Sequence, residues 1–115
     1  MTRDATFRLG DLVARIDAIA VAEGLLRKGE AQGDRDLAGT AFDAILYDLL
    51  VIGEAVRSLP QELRDSEPGV PWSGIVGMRN VIAHEYFRIR SEVISTTIDE
   101  PLAMLRGACE RLLRS

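Results

Sequence analysis

The sequence contains a single histidine and a single cysteine among its 115 residues. One cysteine, Cys109, excludes a disulfide within the chain and is compatible with a reducing compartment. With so few imidazole and thiolate ligands, a zinc site or another first-row metal site is hard to build. We therefore expect a protein that works without a metal ion and without a cofactor.

Long apolar runs and an excess of basic residues are also missing. The longest apolar run, residues 49–53, is far too short to cross a bilayer, and residues 1–12 lack the apolar core of a signal peptide. We expect a soluble, cytoplasmic protein with no membrane partner. Fourteen basic and eighteen acidic residues give a net charge of -4. Any binding of RNA must therefore use a local basic patch, or be brief and weak.

Apolar residues recur with helical spacing along most of the chain, and no segment alternates long enough to predict a strand. The length and the 47% of hydrophobic residues suit one domain over residues 1–115. Helices are predicted over residues 5–28, 34–59, 72–87 and 91–113, with a short helical turn at 60–65. Two glycines predict a loop at 28–34, and Pro101 predicts a kink or a division of the last helix. The predicted fold is an all-α bundle of four to five helices.

The second predicted helix is apolar over a wide arc. Its main stripe consists of Ala41, Ile45, Leu49, Ile52, Val56 and Leu59, and a neighbouring apolar set consists of Phe42, Leu46, Leu50 and Gly53. A helix in a two-layer bundle needs only one such stripe. The arc therefore indicates either a central helix or a helix that also meets a second copy of the chain. We expect a homodimer through the second helix and the helix over residues 72–87.

Residues 78–87 hold the densest group of functional side chains, including the histidine. Asn80 and His84 are one turn apart on one helical face, whereas Arg79 and His84 are separated by about 140° around the helix. A site that uses both Arg79 and His84 thus requires two copies of this helix. Histidine can transfer protons near neutral pH, and arginine can bind phosphate oxygens. These residues suit metal-independent RNA cleavage, in which the 2′-hydroxyl attacks the adjacent phosphate.

Other interpretations of these residues remain open from spacing alone. A single helical histidine is usually a surface or core residue, and an arginine five positions earlier is frequent by chance. Glu54 either orients a site residue or ends an apolar face, and Tyr86 can be an amphipathic edge residue. Arg88 and Arg90 form either an RNA-contacting edge or a solvated helix end. Trp72 is most simply a packing anchor.

Several blocks of the sequence resemble the HepT-like proteins, the toxin members of the HEPN superfamily. Residues 79–86 match their Arg-X4-His-X-Tyr signature, with Asn80 after the arginine. Further blocks resemble the family in the same order: Ile52-Gly53-Glu54-Ala55, Pro71-Trp72, Gly77-Met78-Arg79-Asn80 and Asp99-Glu100-Pro101-Leu102. The resemblance extends from about residue 40 onward, and the first helix fits in pattern only.

This resemblance implies a HEPN-like bundle that forms a homodimer, with Arg79 and His84 of both chains lining one cleft and with Asn80 and Glu54 in support. It implies the toxin of a toxin–antitoxin system, a metal-independent endoribonuclease that cleaves RNA, either tRNA or mRNA. The implied partner is an MntA-like nucleotidyltransferase antitoxin that transfers AMP from ATP to Tyr86. Toxin and antitoxin can also assemble into a larger hetero-oligomer.

Two alternative functions compete with RNA cleavage. One is a non-catalytic HEPN binding subunit that presents a substrate or a nucleotide to a partner nucleotidyltransferase, and the acidic composition slightly favours it. The other is a helical dimer that only binds its partner. The intact set of Arg79, Asn80 and His84 favours the enzyme, because a pure scaffold has no need for these side chains.

Overall fold

Helices make up nearly all of the chain in the computed structural model, which describes residues 1–115. The elements are α1 (Arg3–Gln32), α2 (Arg35–Arg57), α3 (Gln61–Asp65), α4 (Trp72–Glu85), a 3₁₀ turn (Tyr86–Arg88) and α5 (Ser91–Arg114). No strand is present. The prediction of an all-α bundle with four to five helices is confirmed. None of the helices combines the length and the apolarity that a membrane span requires.

The long helices form a layered bundle in which α1 packs on α2 and α5, and α2 also packs on α4. The whole main stripe of α2 is buried, and in the neighbouring set Leu46 and Gly53 are buried while Phe42 and Leu50 are partly buried. The wide apolar arc of α2 is therefore largely covered by α1 and α4 of the same chain. Of the two interpretations of that arc, the central helix is the one that the fold accounts for.

The first helix continues through most of the predicted loop at residues 28–34 and ends at Gln32. Gly29 is buried, and a Cβ at this position would lie 2.7 Å from the backbone nitrogen of Ala38. Gly29 thus permits the close approach of α1 to α2 and does not end the helix. The chain reverses at Gly33, whose φ of 67° lies in the left-handed region that favours glycine. The predicted loop was wrong because the first of its two glycines is a packing residue.

The last helix is not divided by Pro101, since α5 runs without interruption from Ser91 to Arg114. Proline lacks the N–H that would bond the carbonyl group four residues earlier, at Thr97. Thr97 is exposed, so water can satisfy that carbonyl. Of the two predicted effects of Pro101, the division of the helix is therefore wrong, and the kink stays a prediction.

The start of α4 is fixed by Trp72. Its indole N–H donates to the carbonyl oxygens of Arg64 and Glu67, each at 3.0 Å, and the ring is partly buried. The predicted packing role of Trp72 is confirmed. At its other end, α4 stops at Glu85, two residues before the predicted boundary, and the chain tightens into the 3₁₀ turn.

Candidate active site

Arg79 lies on the side of α4 that packs against α2. A Cβ added to Gly53 would lie 3.0 Å from the Cβ of Arg79, so the missing side chain at Gly53 lets the two helices approach closely here. Arg79 Nε forms an ion pair with Glu54 Oε2 at 3.0 Å. Because Glu54 pairs with Nε, it orients the guanidinium group and leaves both Nη groups available to an anion.

Arg79 is one of the residues that line a cleft of about 620 Å³ between α1, α2 and α4. The cleft is lined by Arg8, Asp11, Leu50, Val51, Glu54, Ala55, Ser58, Arg79 and Ala83. The lining thus includes two arginines and two acidic residues, whose formal charges balance, and Arg8 also pairs through its Nε with Asp4 at 3.1 Å. Arg8 and Asp11 could not be predicted from the sequence, because their place in the cleft depends on how α1 packs on α2.

His84 and Asn80 lie on another side of α4. Both residues are exposed, and neither lines the cleft around Arg79. Between them, Val81 is 55% exposed. Within one chain, the structure places Glu54 next to Arg79 but leaves His84 away from both. This separation follows from the angle of about 140° between Arg79 and His84 around a helix.

Tyr86 begins the 3₁₀ turn and so leaves the path of α4. Its hydroxyl donates a hydrogen bond of 2.9 Å to Asp43 Oδ1 on α2. This hydrogen bond, together with the negative charge of Asp43, raises the pKa of the Tyr86 phenol. The residue as a whole is 44% exposed. Tyr86 is not among the residues that line the cleft around Arg79. In a continuous helix, residues seven apart would share a face, but α4 ends at Glu85, before Tyr86.

Asp43 is a functional candidate that the sequence reasoning missed. Asp43 and Glu54 are eleven residues apart, which places them within about 20° of each other around α2. Glu54 meets Arg79 in the middle of α4, and Asp43 meets Tyr86 just beyond the end of α4, because α2 and α4 run antiparallel. The shared face is visible in the sequence, but the partners of the two carboxylates are not.

An apolar groove of about 610 Å³ lies between α4 and α5. Its walls include Met78 and Val81 from α4 and Val93 and Ile94 from α5. Val81 thus belongs both to the groove and to the exposed surface beside His84. The groove gives α4 a second apolar face, which the chain itself leaves open.

No group of three or more His, Cys, Asp or Glu side chains is arranged to hold a metal ion. Cys109 is a buried residue of α5, and burial raises the pKa of its thiol to about 12. Cys109 therefore serves the core and is a poor nucleophile.

The chain is similar to a known protein family and to several individual proteins. The sequence profile of the family described as Ribonuclease HepT-like matches residues 15–112. A Caldanaerobacter subterraneus subsp. tengcongensis protein, provisionally named as an RNase, is 38% identical over 71 residues, or 62% of this chain and 63% of that protein. A Thermococcus cleftensis protein, named as a probable ribonuclease HepT, is 32% identical over 69 residues, or 60% of this chain and 63% of that protein. The matches thus cover less than two thirds of either relative, and no solved structure matches significantly.

Proposed function

The chain belongs to the HepT-like ribonuclease family, and on that premise we propose that it is the toxin of a toxin–antitoxin system and cleaves RNA as a metal-independent endoribonuclease. Its site is formed by Arg79 and His84 at the interface of a homodimer. One observation carries the proposal: Gly53 and Glu54 fix Arg79 against α2, while His84 lies exposed on another side of α4.

The proposed reaction uses only side chains of the two protomers. The 2′-hydroxyl of the RNA attacks the adjacent phosphorus, and His84 of one protomer accepts the hydroxyl proton. His84 of the other protomer donates a proton to the leaving 5′-oxygen. The Nη groups of Arg79 donate to the non-bridging oxygens, where negative charge develops. Glu54 keeps Arg79 oriented, and Asn80, one turn before His84, supports the imidazole or the RNA.

The homodimer in this proposal supplies what a single chain lacks. Arg79 and His84 lie about 140° apart around α4, so a second α4 must bring a histidine to each arginine. The exposed Val81 and the apolar groove beside it offer a surface that a second copy would cover, and Tyr47 on α2 is 63% exposed. We expect contact through α2 and α4, and light scattering at micromolar concentration should give the mass of a dimer.

Regulation is proposed to act through Tyr86, by transfer of AMP from an MntA-like nucleotidyltransferase antitoxin. This proposal rests on the match of residues 79–86 to the family signature and on the 44% exposure of Tyr86. The product would carry a negative phosphodiester and a bulky adenosine two residues beyond His84, where both would oppose RNA binding. Incubation of the pair with ATP and Mg²⁺ should add AMP to the protein by intact mass, and Tyr86→Phe should abolish the addition.

A non-catalytic subunit is the second candidate function. The net charge of -4 and the balanced charges of the Arg79 cleft favour it over an RNA-binding enzyme. Such a subunit would present a substrate or a nucleotide to a nucleotidyltransferase and would not cleave RNA. The two candidates therefore differ in a single assay of the purified protein.

The test is RNA cleavage in the presence of a metal chelator, with both a tRNA pool and an mRNA transcript as substrates. Arg79→Ala and His84→Ala should each lower the rate by at least about 100-fold, because each removes a group needed in the transition state. Arg57→Ala and Glu85→Ala, at exposed positions of α2 and α4, serve as matched controls and should retain activity. Circular dichroism verifies that all variants are folded. Full activity of either Arg79→Ala or His84→Ala would exclude the assignment, and a wild-type chain without cleavage would favour the second candidate.

A further inference from the structure

The hydrogen bond between Tyr86 and Asp43 joins residues that lie far apart in the sequence and ties the 3₁₀ turn to α2. Asp43 is exposed and takes part in no ion pair. Its carboxylate therefore does not neutralise the charge of an arginine or a lysine. The phenol of Tyr86 is its one side-chain partner.

We infer that Asp43 is the general base for the transfer of AMP to Tyr86, so that the toxin supplies a catalytic residue for its own modification. This inference rests on the proposed modification of Tyr86. The phenolic oxygen attacks the α-phosphorus of ATP and forms a new P–O bond. The bond from the α-phosphorus to the bridging oxygen breaks, and pyrophosphate leaves. The phenol proton passes to the Asp43 carboxylate and from there to water.

The geometry fits this role because the proton to be removed already points at its acceptor. A phenol is almost entirely protonated at neutral pH, so it must lose its proton as it attacks. Asp43 Oδ1 lies 2.9 Å from the Tyr86 oxygen, within the distance that a general base requires. Tyr47, also exposed and on α2, has no hydrogen-bond partner for its hydroxyl, so it offers an internal comparison.

The same hydrogen bond has an opposite effect on the resting phenol. Asp43 stabilises the protonated form and so lowers the fraction of phenolate. If Asp43 did only this, its removal would make Tyr86 more reactive. If Asp43 accepts the proton during attack, its removal must make Tyr86 less reactive. The two roles therefore predict changes of opposite sign.

The first experiment measures acetylation of the tyrosines by N-acetylimidazole at pH 7.5, followed by peptide mass spectrometry. Asp43→Asn keeps the size of the side chain but removes the base, and Asp36→Asn, an exposed acid of the same helix, is the matched control. The initial rate at Tyr86 should fall about tenfold in Asp43→Asn, while Tyr47 changes little and Asp36→Asn changes neither. An equal or higher rate at Tyr86 in Asp43→Asn would overturn the inference.

The second experiment measures AMP transfer itself, using the MntA-like nucleotidyltransferase of the same genome with ATP and Mg²⁺. The rate of AMP addition to Asp43→Asn should be at least about tenfold below that of the wild type. A rise in pH should restore much of the rate in Asp43→Asn, because phenolate then forms without a base. Equal rates of AMP addition to the wild type and to Asp43→Asn would refute the role of Asp43 as the general base, without affecting the proposed modification of Tyr86. A wild-type chain that receives no AMP would instead defeat the proposed modification, and the acetylation rates would still decide the role of Asp43.

Discussion

A methyl group added at Gly53 tests how Arg79 is held against α2. The new Cβ of Gly53→Ala would lie 3.0 Å from the Cβ of Arg79 and 3.7 Å from the carbonyl oxygen of Ile75. The first distance is shorter than ordinary van der Waals contact, and the Cβ of Arg79 is fixed to its backbone, so the backbone of α2 or of α4 must shift by a few tenths of an ångström. Either response disturbs the ion pair between Arg79 and Glu54, which orients the guanidinium group.

Two effects on stability oppose each other in Gly53→Ala. Alanine is favoured over glycine in a helix interior by about 1 kcal/mol. Overpacking of a close contact costs about 1–3 kcal/mol. Gly39 is also in α2, and a Cβ there would meet open space, so Gly39→Ala measures the helix preference alone. The free energy of unfolding of Gly53→Ala should therefore lie about 1–3 kcal/mol below that of Gly39→Ala.

Urea unfolding followed by circular dichroism gives both free energies, at equal protein concentrations because dimerisation would shift the midpoints. RNA cleavage should fall about tenfold in Gly53→Ala, since small displacements of a catalytic group cost large factors in rate. Gly39→Ala should retain the wild-type rate. If Gly53→Ala were as stable as Gly39→Ala and fully active, the close approach of α2 and α4 would have no role in positioning Arg79.

Three further predictions concern groups away from the site. Arg15→Ala should lower the free energy of unfolding by about 2 kcal/mol, because Asp48, buried and paired with Arg15 at 3.1 Å, would keep an unpaired charge; an unchanged urea midpoint would contradict this. Burial and the Asp99 carboxylate raise the pKa of Glu23 to about 6, so the unfolded chain loses this proton at lower pH than the folded chain. Stability therefore falls as pH rises through about 4.5 to 6, and Glu23→Gln should stabilise the protein by about 1 kcal/mol at pH 7.5 but not at pH 4; equal effects at both pH values would contradict the shift. Cys109 should not react with a disulfide reagent until urea unfolds the chain, and rapid reaction of the native protein would show that its burial is wrong.

The positions of the helices follow from the spacing of apolar residues, because each buried stripe repeats with the helical period. The sequence was misleading where a residue acts through its tertiary contacts. Gly29 resembles a helix end but is a contact point between α1 and α2. Pro101 resembles a break, yet α5 continues through it, and Thr97, one turn earlier, is an exposed residue.

The site is predictable in its residues but not in its contacts. The signature over residues 79–86 predicts which side chains form the proposed site, and the angle around a helix shows that Arg79 and His84 cannot meet within one α4. The pairing of Arg79 with Glu54 was one of two open interpretations, and the bond from Tyr86 to Asp43 was not expected. Both contacts depend on the rotation and register of α4 on α2. Packing between the helices sets these two quantities, and the spacing of residues within one helix does not reveal them.

The most direct test of the two-chain site is RNA cleavage by mixed dimers of one wild-type chain and one His84→Ala chain. The two chains carry different affinity tags, are exchanged by unfolding and refolding, and are purified on both tags before assay with a chelator. Each mixed dimer holds one His84, so the proton acceptor and the proton donor of the proposed reaction cannot both be present. The account predicts a rate at least about tenfold below half that of the wild-type dimer. A mixed dimer with half the wild-type rate would contradict a site assembled from two chains, because one chain would then hold a complete site.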